Sequence, residues 1–175
     1  MGNRGVLHRD HEIVRPWRGN RWIICLTVFK GRHLDQWVAN RYTALFFHDE
    51  AVALAAGHRP CAECRRAAFN QFLDAWERAF GERPRVPALD ARLSEDRLAG
   101  SEQRHHVRAW RELPVGTFVE RGERPALVRG DALVPWTIEG YGTPMPRPKH
   151  GEAVVITPRA TVDALIHGYE PYLAT

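Results

Sequence analysis

The hydrophobic pattern divides the chain into a mixed first half and a strand-rich second half. Arg21–Phe29 (RWIICLTVF) is β-branched and aromatic, which predicts a buried strand. Arg41–His48 (RYTALFFH) predicts a second strand. Asp49 is placed to cap a short helix, DEAVALAAG, that Gly57 stops. Pro60 then sets a turn, and a longer helix is expected from about Cys61 to Phe80. Its apolar face is Phe69, Phe72, Leu73, Trp76 and Phe80, at helical spacings of three and four. Residues 81–87 (GERPRVP) read as a loop and as the best candidate for a sub-boundary in a single domain spanning 1–175. Residues 88–98 suit a short helix, whereas 99–111 carry no clear period.

From Leu113 onward the pattern shortens to VGTFVE, PALVR and ALVPW, with Gly130-Asp131 as a tight turn. Residues 140–151 form a Gly/Pro-rich loop. EAVVIT is a last strand, and Thr157-Pro158 opens a helix, RATVDALIH, closed by Gly168. This order lacks the regular alternation of a doubly wound fold. It predicts an α+β chain: a short mixed or antiparallel sheet, two or three packed helices and a β-rich C-terminal half.

Composition narrows the class. With 175 residues and 44% hydrophobic content, the chain can bury a real core. The N-terminus has no apolar core of a signal peptide, and Val6 breaks the myristoylation pattern. No apolar run approaches the ~18 residues of a membrane span. A cytoplasmic protein is the expectation. The net charge of +4 permits a polyanionic partner. Lys30 and Lys149 are the only lysines among 25 basic residues. Arginine forks suit phosphate and base edges, although a GC-rich genome produces the same skew.

Three cysteines, Cys25, Cys61 and Cys64, do not make a secreted disulfide framework. Cys61 and Cys64 form a C-x-x-C pair at a turn into a helix, a spacing that lets two thiolates reach one metal ion. A closed zinc site needs two more ligands, with Cys25, His33, His48 and His58 as candidates. The alternative is that both thiols simply pack at a helix start.

The segment FHDEAVALAAGHRPCAECRR, Phe47–Arg66, resembles the zinc-binding segment of Ada-type DNA alkylation-repair proteins. It keeps Ala51, Ala55, Ala56, Gly57, Arg59, Pro60, Cys61 and Cys64. The resemblance implies zinc held by Cys61 and Cys64. That family's upstream cysteine pair is missing; FKGRHLD stands in its place, with His33 near the second position. One of the missing cysteines is the family's alkyl acceptor, so alkyl transfer is not implied. The chain as a whole, with FKGR, RYTALFF, GHRPCAECRR, PWTIEGY and TPRATVDAL, is also similar to a group of small bacterial proteins associated with an unusual class of uracil-DNA glycosylase. That likeness implies a base-excision enzyme with DNA as partner.

The remaining candidates follow from the chemistry. Lys30, Arg32, Arg59, Arg65 and Arg66 could form a basic strip for phosphates beside a helix N-terminus, or an ordinary solvated face. Trp136 and Tyr141, near Glu139, could grip an extruded base, or be core aromatics. Glycosidic cleavage needs a carboxylate near the sugar and a donor near the base. Asp90, Glu139, His105 and His106 are the catalytic candidates. No Ser-His-Asp signature, phosphate-binding loop or dinucleotide fingerprint is present. A non-catalytic zinc-turn module for DNA and a metal-dependent nuclease are the competing readings.

Overall fold

The computed structural model describes residues 1–31, 36–122 and 124–174. It is α+β with a strand-rich C-terminal half. Four helices are present among the described residues: α1 (Glu50–Ala55), α2 (Arg66–Phe80), α3 (Val86–Arg97) and α4 (Arg159–Ile166).

Each helix forms for a local reason. Asp49 caps α1 by accepting from the Val52 amide at 2.9 Å. Gly57 stops it at φ 79°, and a Cβ there would meet the Arg97 side chain at 2.8 Å. The expected face of α2 is buried at Phe69, Phe72, Leu73 and Trp76. Gly81 closes α2 in the left-handed conformation. Pro87 sits in the first turn of α3, where its missing N–H costs nothing.

The helices α2, α3 and α4 share one apolar core containing Phe72, Trp76, Leu89, Leu93, Ala164 and Tyr169. That core draws on both sides of residues 81–87, so the loop connects helices that pack together.

The C-terminal half is an antiparallel sheet. Strands 140–141, 132–137, 124–129, 118–121, 152–155 and 106–109 follow one another across it. The hairpin from Arg129 to Ala132 turns through Gly130, whose φ of 63° supplies the left-handed residue this tight loop needs. Glu152–Val155 alternates exposed and buried, with Ala153 and Val155 inward. The polar segment 99–111 becomes a small hairpin, 98–99 with 102–103, and then the edge strand His106–Ala109.

Two strand expectations are corrected. Within Arg21–Phe29 only Ile23–Ile24 is strand, paired antiparallel to Gly2–Asn3 and parallel to Arg59–Pro60. The Arg59 and Cys61 amides donate to Trp22 O and Ile24 O, Cys25 still bonds Met1, and beyond Cys25 the ladder ends. Leu26 and Val28 are exposed at 45% and 53%. Residues 41–48 make one isolated bridge, Gly2 to Leu45. There Thr43 is buried and bonds the Leu7 amide and His8 instead. No helix among the described residues is long and apolar enough to cross a membrane.

His58 lies between Trp22 and Phe47, with ring centroids 5.4 and 4.7 Å away. Burial first, then the Arg4 and Arg97 charges, lowers its pKa to about 3. The folded chain therefore holds His58 neutral while the unfolded chain protonates it near 6.5. Its contribution to stability is complete above pH 6.5 and is lost as pH falls towards 3. Urea midpoints measured from pH 8 to pH 4 are expected to fall less in His58→Gln than in the parent chain; parallel curves would refute the assignment.

Candidate metal centre and adjoining cavities

The parallel pairing of Ile24 with Pro60 sets the site. Cys25 and Cys61 are the next residues on the two strands, and the Cys61 amide donates to Ile24 O at 2.9 Å. The turn then returns Cys64 to the same point. The three sulfur atoms all lie within 4.8 Å of one another, close enough to hold one metal ion.

Backbone amides face the sulfurs. Leu26 N donates to Cys64 Sγ and Glu63 N to Cys61 Sγ, each at 3.4 Å. Cys61 is the acidic member, with a pKa lowered to about 5, first by a hydrogen bond from Cys25, against burial, which raises it, and with the Cys64 and Glu63 amides adding to the lowering. Cys25 is pushed up by holding that shared proton and by burial, and Cys64 is pushed up chiefly by burial. The trio therefore offers a ready thiolate and two thiols that a bound cation would deprotonate. All three line a cavity of about 450 Å³, together with Arg21 and Tyr42. The expected ligand His33 lies outside the described residues, as does Arg32. His48 and His58 are not in the cluster.

The expected basic strip is corrected at Arg59. Arg59 is 2% exposed and its guanidinium grips the Asp90 carboxylate at 2.8 and 2.9 Å. Neither residue is free for phosphate contact or for acid–base chemistry. Arg65 is answered by Glu50 at 2.8 Å. Lys30 and Arg66 are exposed. Arg18, Arg21 and Arg41 together line a cleft of about 760 Å³. In the sequence Arg18 and Arg21 stand three residues apart, but nothing local brings Arg41 to them.

The catalytic candidates separate. His106 is buried, its Nε2 3.0 Å from Thr157 O, and burial lowers its pKa. Glu139 is exposed at a turn. Tyr141 donates to Asp49 at 2.7 Å, a contact that fastens the sheet to α1. His105 and Trp136, by contrast, line one cavity of about 900 Å³, with Phe118, His48 and Gln103. Glu120, which the sequence reading did not single out, joins them there, its Oε1 2.5 Å from His105 Nδ1. Its position opposite Pro125 in a hairpin was invisible without the register.

Compared with known proteins, the chain matches no family model, no curated protein and no solved structure.

Two outcomes follow. Titration of the metal-free chain with Co²⁺ is expected to give one equivalent with thiolate charge-transfer absorption. The band is expected to vanish in Cys25→Ser and in the Cys61→Ser, Cys64→Ser double variant; a band that survives both would remove the centre. Asp90→Ala leaves the Arg59 charge buried and is expected to cost about 3–5 kcal/mol of stability. Denaturant unfolding with less than about 1 kcal/mol lost would return Asp90 to the list of free carboxylates.

Proposed function

We propose that this chain is a zinc-binding DNA glycosylase that removes uracil or a related damaged base. The observation that carries the reading is the cavity of about 900 Å³ on which Trp136, His105 and Glu120 converge. These are the three kinds of group that N-glycosidic hydrolysis requires, although the carboxylate is neither Asp90 nor Glu139. A flat aromatic holds a flipped base, whose unstacking costs a few kcal/mol. A carboxylate takes a proton from water as the oxygen bonds to the sugar carbon. The bond from that carbon to the base nitrogen breaks with its electron pair on the base. A histidine hydrogen-bond donor stabilises the departing base anion.

Zinc belongs at Cys25, Cys61 and Cys64, where thiolate ligands near 2.3 Å suit it. Its contribution is structural: it ties the end of Ile23–Ile24 to the approach of α2. The cleft lined by Arg18, Arg21 and Arg41 offers a surface for the DNA backbone.

A second reading is a non-catalytic zinc-turn module. It is favoured by Arg21, which lines both the cysteine cavity and the arginine cleft. It requires salt-dependent DNA binding without base release. A nuclease built on histidine-bound metal lacks such support, because the metal-capable cluster among the described residues is made of cysteines.

Incubation with uracil-containing oligonucleotide followed by alkali is expected to break the strand at the uracil. Glu120→Gln is expected to lower base release by ~10²-fold or more. No breaks above control with uracil, hydroxymethyluracil, xanthine or hypoxanthine would sink the enzyme reading and leave the binding module.

A further inference from the structure

Beside the large cavity lies a smaller one of about 170 Å³, lined among others by Arg4, Trp17, Trp22, Arg97 and Ser101. Its distinguishing feature is unanswered positive charge. The guanidinium carbons of Arg4 and Arg97 lie 4.8 and 4.3 Å from the Trp22 ring centroid. The Nε atom of each is buried with no hydrogen-bond partner. Arg97 is 2% exposed and spends its other donors on neutral carbonyls: Gly57 O at 2.8 Å, Asn20 O, and Asp90 O at 3.4 Å. Among the described residues no carboxylate forms an ion pair with Arg4 or Arg97. The carboxylate of Asp90, the acidic group within reach, is already held in two contacts by Arg59.

Asp90 thus faces two buried guanidiniums, Arg59 and Arg97, and half-buried Arg4 adds a third positive charge beside Arg97. Buried charge is normally paired or bound to a counterion. The neighbouring titratable group, His58, gives no relief, since burial and these same two arginines keep it neutral. Burial likewise lowers the pKa of both Arg4 and Arg97, the latter to about 10. A cationic surplus along the cavity wall and the nearby Ser101 hydroxyl describe a receptor for a small oxyanion, and the two buried, unpartnered Nε atoms show how little of that charge the fold itself answers.

The neighbour says which oxyanion. Ala56 and Gln103 line both this cavity and the one that holds Trp136, His105 and Glu120. Gln103 is fixed between them by its amide nitrogen, which donates to Ala55 O at 2.7 Å and Ile156 O at 3.1 Å. Two shared residues therefore separate a place for an anion from a place for a planar base. That is the layout of a nucleotide unit. We propose that Arg4 and Arg97 bind a phosphate of the nucleic-acid strand beside the nucleotide whose base enters the Trp136 cavity. The identity of the phosphate rests on the proposed function, whereas the anion site rests on the two arginines alone.

The test has two arms on the full chain, with Arg4→Leu as the variant because Arg97 also carries contacts of the fold. In the first arm, inorganic phosphate at constant ionic strength is expected to raise the Tm of the parent chain. At ~100-fold above its Kd the rise should be about 5–10 °C. The rise should be lost in Arg4→Leu and partly kept in Arg4→Lys, and near-ultraviolet circular dichroism without phosphate reports whether each variant folds. No phosphate-dependent rise in the folded parent chain would overturn the site. In the second arm, uncharged methylphosphonate linkages are placed one at a time around the uracil. One linkage is expected to weaken binding by about tenfold in the parent chain and to have no further effect in Arg4→Leu. A phosphate response without any such coupled linkage would overturn the strand assignment. Base release plays no part in either arm, so loss of the glycosylase reading and loss of this one are separate results.

Discussion

The ion pair between Arg59 and Asp90 is the contact on which the first half of the molecule turns. Arg59 belongs to the strand that delivers Cys61, and Asp90 lies on α3, which closes the helical core. Both partners are almost fully buried, and the two parallel contacts make the fork-to-carboxylate geometry that best offsets desolvation. Arg59 also lies over the Phe69 ring and bonds Pro60 O at 2.9 Å. The pair therefore fixes the turn against α2 and α3 together. The position of Cys61, and with it the three-sulfur cluster, follows from that constraint.

A second polar junction fastens the two halves. Asp49 caps α1 and also accepts from Tyr141 and from the Ala174 amide at 3.1 Å. Its neighbour Glu50 takes Tyr169 at 2.5 Å and Arg65 at 2.8 Å. A short helix of six residues thus receives contacts from the sheet, from α2 and from the C-terminal segment. On its own such a helix is marginal in water; these contacts and its buried alanines hold it. The Ala-rich sequence of α1 is what permits the close approach, since Ala51, Ala53 and Ala55 are all buried.

Features governed by local chemistry were legible in the sequence. The Asp49 cap, the Gly57 and Gly81 stops and the apolar stripe of α2 depend on neighbours within one or two turns, and each stands where the pattern put it. The α+β class and the short C-terminal strands were legible for the same reason. What failed depended on distant partners. Arg21–Phe29 has the composition of a strand, but only Ile23 and Ile24 find a ladder. Arg59 reads as a surface cation because arginine usually is one; nothing local announces a carboxylate 31 residues away. Glu120 was missed because a carboxylate on a hairpin becomes chemically interesting only once register sets it beside His105.

The arrangement of charge explains how the chain accommodates two buried and several half-buried arginines. Arg59, Arg65 and Arg108 each meet a carboxylate, at 2.8, 2.8 and 2.7 Å. Those pairs are structural, and each joins segments distant in sequence. Arg4 and Arg97 are the exceptions, stacked on Trp22 and facing a cavity instead of an acid. A guanidinium is weakly hydrated and stays charged in such surroundings, where a lysine gives up its proton more readily. The preference for arginine over lysine is thus more than a matter of codons at three of these positions: Arg59 meets both carboxylate oxygens with its fork, and Arg4 and Arg97 supply a planar cation that can lie on an indole.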